Sequence, residues 1–274
     1  SFRCYIKTTK YYRIRMINSK IKKILSKKNK SKIVCLTAYS KNMAEILDKH
    51  CDIILVGDSL GSVLYGMKST KEVSLNMMIN HTKSVKQGVK KSLLVVDMPY
   101  KTYQNKNQAL KNVKKVIQST KCDAVKLEGG KKIIKIIKHL TKNKIAVMGH
   151  IGLLPQTQKG KFRYKGKSVI ERKRIYEDSI LLSTAGVFSI VLECVESNLS
   201  KMITNNINIP TIGIGSSKYC DGQILVTDDL IGLNTVKLRF VKKYVNLKKI
   251  INRSIINFKK DILKKKFPSK RYSF

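Results

Sequence analysis

Ile53-Ile54-Leu55-Val56-Gly57-Asp58 decides the fold of this chain: four aliphatic residues in a row, then a glycine, then an acid. A run this short and this rich in Ile and Val reads as a strand buried on both faces, as in a parallel sheet. Three further stretches repeat the arrangement: Leu93-Leu94-Val95-Val96 before Asp97, Ala124-Val125-Lys126-Leu127 before Glu128, and Phe188-Ser189-Ile190-Val191-Leu192 before Glu193. The chain has 57 Lys+Arg and only 17 Asp+Glu, so four acids at strand exits are a pointed use of a scarce residue type. If these strands close into one parallel barrel, their exits meet on a single rim, where such barrels build their sites.

Outward from that stretch, short apolar runs alternate with longer amphipathic ones from Lys32 onward. Candidate strands are Ile33 to Leu36, Ile53 to Val56, Leu93 to Val96, Ala124 to Leu127, Ile145 to Met148, Phe188 to Leu192, Thr211 to Ile214 and Ile224 to Val226. Between them, Asn76 to Val89, Asn107 to Ser119, Lys131 to Thr141 and Val169 to Ala185 carry apolar residues at spacings of three and four, the period of a helix with one buried face. Strands alternating with helices make right-handed parallel crossovers, and eight of them close a (β/α)8 TIM-type barrel. A doubly wound open sheet is the other arrangement the pattern allows. The 274 residues suit a single α/β domain spanning 26–274, with a basic N-terminal extension over 1–25. Phe240 to Lys266 reads as terminal helices packed outside the barrel. No Pro-, Gly- or Ser-rich linker divides the chain, and no segment repeats.

Composition narrows the partners. The hydrophobic fraction of 42% supports a sizeable core, and no apolar run approaches the ~20 residues of a membrane span. A formal charge of +40 points first to nucleic acid. Against that, only 9 of the basic residues are Arg, the side chain favoured for bidentate phosphate and base recognition, and the lysines are spread over every expected helix. The reading is of lysine-covered helices with no specific nucleic-acid partner and no membrane. The six cysteines form no C-x-x-C pair, and several lie in or beside apolar runs; buried free thiols in a reducing, cytoplasmic compartment follow. The four histidines show no zinc spacing. Residues Ser1 to Leu25 are basic and acid-free and include Met16, which reads as an upstream extension or, alternatively, a transit peptide.

Asp58, Asp97 and Glu128 place hard oxygen ligands at the ends of three successive strands, without His or Cys to favour zinc. That donor set suits Mg²⁺, which takes few protein carboxylates and leaves positions for water and substrate oxygens. The plainer alternative for each acid is a helix cap or a salt bridge. Glu193 stands apart, with apolar flanks that disfavour its charge and so suit either a general base or, equally, a core-edge salt bridge. Lys126, two residues before Glu128, should face the same side of its strand and neutralise an anionic substrate or the acids themselves. His150 follows the fifth run and is placed to donate to a substrate oxygen or to serve structure. Gly213-Ile214-Gly215-Ser216-Ser217 reads better as a tight turn than as an anion loop.

Beyond the rim, ordered segments carry a resemblance. Leu36-Thr37-Ala38-Tyr39, Leu55-Val56-Gly57-Asp58-Ser59-Leu60-Gly61, His81-Thr82-Lys83, Asp97-Met98-Pro99, Val125-Lys126-Leu127-Glu128-Gly129-Gly130, Met148-Gly149-His150-Ile151-Gly152-Leu153, Val191-Leu192-Glu193-Cys194-Val195, Ile209-Pro210-Thr211-Ile212-Gly213-Ile214-Gly215 and Cys220-Asp221-Gly222-Gln223 resemble the ketopantoate hydroxymethyltransferase family. The likeness runs from about Lys32 to the end of the chain, including Phe267-Pro268-Ser269.

The resemblance implies a (β/α)8 barrel that uses Mg²⁺ and the co-substrate 5,10-methylenetetrahydrofolate. With them it adds a hydroxymethyl group to 3-methyl-2-oxobutanoate, through a Mg²⁺-stabilised enolate, toward pantothenate. It further implies that Asp58 and Asp97 are direct metal ligands, with Glu128 the third acid. Ser59, Lys126, Asp58 and Asp97 contact the keto acid, Glu193 is the proton acceptor, and the protein is a homo-oligomer, commonly a decamer. Two stretches depart from the family pattern, Gln158 to Tyr164 and Gly215-Ser216-Ser217. Two other readings are carried: a related Mg²⁺ barrel that cleaves carbon-carbon bonds in 2-oxo acids, expected to have an acidic or nucleophilic cysteine on a loop, and a degenerate barrel that binds nucleic acid.

Overall fold

The computed structural model describes residues 18–157, 163–235 and 238–274. Its strands are β1 (Ile33–Thr37), β2 (Ile53–Val56), β3 (Leu93–Asp97), β4 (Ala124–Glu128), β5 (Val147–Gly152), β6 (Ser189–Glu193), β7 (Thr211–Ile214) and β8 (Gly222–Leu225). Each pairs in parallel with the next, and β8 returns to β1, so the sheet is a closed eight-stranded barrel and not an open sheet. The helices are α1 (Ser19–Ser26), α2 (Lys41–Leu47), α3 (Leu60–Tyr65), α4 (Leu75–Gly88), α5 (Lys106–Thr120), α6 (Ile134–Lys142), α7 (Val169–Thr184), α8 (Ser197–Asn206), α9 (Thr227–Leu230) and α10 (Leu247–Leu263). No helix among the described residues is long and apolar enough to cross a membrane.

Because side chains alternate along a strand, each run serves two cores. In β3, Leu94 and Val96 face outward into the layer shared with Val85, Val113 and Ile137 of the helices. Leu93 and Val95 face the lumen with Ile53, Leu55, Met148 and Val191. The lumen is apolar near the strand starts, and the same alternation leaves Asp97, Lys126 and Glu128 at its other end. Helices start where local side chains satisfy free backbone N–H groups: the Asn105 side chain accepts from the Gln108 N–H before α5, and Ser168 from the Glu171 N–H before α7.

Several boundaries differ from the sequence reading. The expected extension over 1–25 ends in α1, whose Ile21 and Ile24 are buried against the lumen floor, so its last residues belong to the barrel; residues 1–17 lie outside the described residues. Strand β5 runs on through Gly149 to Gly152, and His150 therefore lies within it and not after it, opposite Glu128 of β4. Parallel pairing on both sides holds the strand together across glycines that look like a break. The first turn of the expected Lys131 to Thr141 helix is a 3₁₀ turn.

The C-terminal segment is also different. It forms one α-helix, α10, and a short 3₁₀ turn, and none of its residues is buried against the barrel. Ile251, Ile255, Phe258 and Ile262 make an apolar stripe at helical spacing that a single chain leaves uncovered. The barrel wall is also open where no helix joins β7 to β8 among the described residues. Val34 of β1 is 46% exposed there, beside a cleft of about 430 Å³ lined by Lys32, Ser216, Lys218 and Gln223.

Candidate active site

At the exit end of the lumen, charged side chains from neighbouring strands meet because the register puts them side by side. Asp97 pairs in register with Lys126, Glu128 with His150, and Gly152 with Glu193. The Lys126 ammonium lies 3.2 Å from Asp97 Oδ1 and 4.0 Å from Glu128 Oε1, which confirms that Lys126 and Glu128 share a face. His150 Nδ1 stands 3.4 Å from Glu128 Oε1, and its Nε2 stands 3.1 Å from Glu193 Oε2. Asp58, on the turn after β2, donates its backbone N–H to Asp97 Oδ2 at 3.0 Å. Gly57 leaves room for the Ser59 hydroxyl: a Cβ there would sit 2.8 Å from Ser59 Oγ and push it aside. The Ser59 hydroxyl shares a 2.7 Å hydrogen bond with the Tyr39 hydroxyl.

Crowding sets the electrostatics. Burial, then the charges of Asp97 and Glu128, hold the Asp58 carboxyl well above the usual range. Burial also raises Asp97, against the pull of Lys126. Burial disfavours the Lys126 charge, yet Asp97, Glu128 and Asp58 outweigh it and keep the ammonium above the ordinary lysine range. Burial works the same way on Glu128, but His150, Lys126 and the Gln156 N–H leave it below its usual value. Burial and Lys126 both oppose a charge on His150, and Glu128 and Glu193 reverse that, lifting it to about 9. Glu128, at 3.4 Å, and the Lys126 ammonium, at 3.1 Å, both approach the same His150 Nδ1.

These residues fit a small divalent cation by their chemistry. Several hard carboxylate oxygens share one buried pocket, and Asp97 Oδ1 has no hydrogen-bond donor aligned on it. Among the described residues, however, no three His, Cys, Asp or Glu side chains already converge as a cage. The arrangement favours an ion that takes one or two carboxylates and keeps open positions, which is the habit of Mg²⁺. Asp58 and Asp97 are the adjacent pair; Glu128 is engaged by His150, Lys126 and the Gln156 N–H.

Two participants were not legible in the sequence. Gln156, from the loop between β5 and α7, is buried to 1% exposure with its carboxamide against Asp58. Tyr103, from the β3–α5 loop, hydrogen-bonds Gln156. Neither lies in a strand or recurs with a period, and the Leu154-Pro155 step before Gln156 reads only as a loop. Of the Gly213 to Ser217 segment, expected as a tight turn, Gly213 and Ile214 instead close β7, and the chain bends only from Gly215, whose φ is a left-handed +58°; the Ser216 hydroxyl is used internally, donating to Val195 O. Cys194 follows Glu193 at the strand end, and burial lifts its thiol to about 11, away from reactivity. Of the departing stretch Gln158 to Tyr164, residues 158–162 lie outside the described residues.

The comparisons with known proteins agree with the resemblance. The profile of the family described as Ketopantoate hydroxymethyltransferase matches residues 18–270. The 3-methyl-2-oxobutanoate hydroxymethyltransferase of Pelagibacter ubique (strain HTCC1062) is 63% identical over 258 residues, 94% of this chain and 100% of that protein. The enzyme of the same name from Rhizobium etli is 47% identical over 92% of this chain and 94% of its own length. Among solved structures, phosphonopyruvate hydrolase superposes with a TM-score of 0.63, covering 93% of both chains at 9% identity, a likeness of fold alone. With one family profile spanning almost all of the described barrel and a relative sharing most of its residues, the chain belongs to the ketopantoate hydroxymethyltransferase family of enzymes.

Proposed function

We propose that this protein transfers a hydroxymethyl group from 5,10-methylenetetrahydrofolate to 3-methyl-2-oxobutanoate, giving ketopantoate in pantothenate biosynthesis. The single observation that carries the reading is the 63% identity to an enzyme of that name over its whole length. Mg²⁺, held by Asp58 and Asp97 with Glu128 behind them, would act as a Lewis acid toward the 2-oxo group of the keto acid. Lys126 answers the substrate carboxylate with a buried positive charge, and Ser59, oriented by Tyr39, donates a hydroxyl beside it. Glu193, whose carboxylate is the most open of the four rim acids, accepts the C3 proton; His150 Nε2, 3.1 Å from it without an aligned hydrogen bond, is placed to donate to a substrate oxygen. The carbon freed of its proton then bonds to the folate's methylene carbon as one of that carbon's two C–N bonds breaks, and water replaces the second nitrogen, supplying the hydroxyl and releasing tetrahydrofolate with its nitrogens protonated.

The test is calorimetry of Mg²⁺ and 3-methyl-2-oxobutanoate binding to the parent, Asp58→Asn and Asp97→Asn. Each substitution is expected to weaken metal and keto-acid binding together. Undiminished Mg²⁺-dependent substrate binding in both variants would remove the metal assignment.

The partners follow the same reading. A homo-oligomer, a decamer by resemblance, is supported by the uncovered α10 stripe and the open wall beside Val34, two apolar surfaces suited to a second copy. Light scattering would give the stoichiometry, and Ile255→Glu is expected to reduce it. Dispersed lysines and rim acids that would repel phosphate support the absence of a specific nucleic-acid partner; binding should be salt-sensitive and indifferent to sequence. Free thiols at Cys35, Cys51, Cys122, Cys194 and Cys220 support a cytoplasmic, reducing setting.

A further inference from the structure

Gln156 is an uncharged side chain inserted among the rim acids, and its hydrogen bonds are complete. Its Nε2 donates to Asp58 Oδ2 at 2.8 Å and to Met98 O at 3.0 Å. Its Oε1 accepts from the Tyr103 hydroxyl at 2.5 Å. The two acceptors on one side and the hydroxyl on the other fix the orientation of the carboxamide. Its backbone N–H donates to Glu128 Oε2 at 3.1 Å, so one residue holds two carboxylates that approach from different strands.

Tyr103 completes the link. Its hydroxyl also lies 3.4 Å from the Glu128 backbone N–H, from which it accepts. A phenol is protonated at neutral pH, so the hydroxyl can donate to Gln156 while it accepts from the Glu128 N–H. Neither Gln156 nor Tyr103 offers a charge of its own, so what they contribute is orientation. One oxygen of Asp58 is committed to Gln156, which sets the plane of that carboxylate, and one oxygen of Glu128 is committed to the loop backbone.

We propose that Gln156, backed by Tyr103, is a positioning residue that ties the segment Leu153 to Thr157 to the acids Asp58 and Glu128, so that the order of this loop and the divalent-cation affinity of the rim rise and fall together. The inference rests on the reading that the rim acids hold a divalent cation. Groups that orient a metal's carboxylates from behind are commonly worth about 10- to 100-fold in affinity. Coupling of this kind is reciprocal: if loop order favours the cation, the cation must favour loop order to the same degree.

The experiment uses Mn²⁺ as the probe, followed by electron paramagnetic resonance, with hydrogen exchange at the Leu153 to Thr157 amides read by mass spectrometry. Gln156→Met keeps the length of the side chain and removes its hydrogen bonds; Gln156→Glu places an acceptor against Asp58 and Met98 O; Tyr103→Phe removes only the backing hydroxyl. Mn²⁺ affinity is expected to fall by about 10-fold in Gln156→Met, by more in Gln156→Glu and by about 3-fold in Tyr103→Phe. Mn²⁺ should slow exchange at these amides in the parent and have little effect on them in Gln156→Met, while exchange in the strands stays that of the parent in all variants.

Parent-like Mn²⁺ affinity in Gln156→Met would overturn the proposal, and so would faster loop exchange without any change in affinity, which would make Gln156 a loop anchor only. A parent protein that binds no Mn²⁺ would overturn the metal reading itself, separately from any effect of the variants. Should Gln156→Met fail to fold, the graded loss in Tyr103→Phe carries the same test.

Discussion

The two ends of the barrel use the same side chains to opposite effect. At the strand starts, each acid is surrounded by donors. Asp52 accepts from Lys27 Nζ and from the Val34 N–H of β1, and Asp123 from Lys20, Asn18 and the Leu94 N–H of β3. Asp221 accepts from Lys28, the Asn29 N–H and the Thr211 N–H of β7. In each case an acid just before one strand caps the free backbone donor of the strand beside it. At the exits, the acids face one another, with Lys126 and His150 shared among them. A parallel barrel explains the contrast, because its strands present unpaired N–H groups at one end and C=O groups at the other. Acids at the starts find strand N–H donors ready-made and serve stability; acids at the exits find no strand-end donors, are held only by turn and loop groups such as the Asp58 N–H and Gln156, and keep oxygens for a cation and a substrate.

The largest expected effect lies at the exit end and leaves the fold alone. Glu193→Gln keeps shape and abolishes basicity, so turnover should fall by about 10² to 10⁴ with little change in keto-acid affinity or melting temperature. Exchange of the C3 hydrogen of 3-methyl-2-oxobutanoate with D₂O, followed by NMR without folate, isolates that step. Exchange at the parent rate would show that Glu193 is not the base.

The complementary break is Asp221→Asn at the floor. It leaves Lys28 without its partner at a site where Asp221 is 5% exposed, and should cost about 3 kcal/mol in urea unfolding while turnover per folded molecule is retained. A loss under ~1 kcal/mol would contradict the division of labour.

Asp48→Asn sharpens the comparison through pH. Burial raises the Asp48 carboxyl, but N–H donors from Ser92, Lys91 and Lys90 outweigh it and leave the carboxyl below its ordinary 3.8. A depressed carboxyl contributes stability above its unfolded value and loses it as pH falls through the folded one. The variant should be about 1 kcal/mol less stable at pH 7, and the gap should close toward pH 3. Melting curves across that range decide it.

The smallest effect is expected for Asp58→Asn without metal. Its raised carboxyl has the opposite sign: ionisation costs stability increasingly as pH rises from the unfolded value toward the folded one. Removing that charge should leave stability at neutral pH within about 1 kcal/mol of the parent, or above it. A loss as large as that of Asp221→Asn would show that exit acids also hold the barrel together.

Much of this was legible in the sequence. The four runs before Asp58, Asp97, Glu128 and Glu193 read as strands because burial on both faces demands unbroken aliphatic stretches, and their acids were visible because so few others exist. Short α2 and α3 and the polar α8 were not, since few turns give little period to read. The extent of β5 was hidden by its glycines, and with it the place of His150 opposite Glu128.

By itself, then, the sequence determined the alternation of buried strands with amphipathic helices, the one rim shared by four acids, and the placing of Lys126 beside Glu128. These follow from periodicity, which is local and survives in one dimension. Only the tertiary structure decided which charges pair across strands, that Gln156 and Tyr103 enter among the acids, that α1 plugs the floor, and that α10 stands uncovered. Those depend on register and on loop paths, where residues far apart in the chain meet because a closed sheet leaves them no other place.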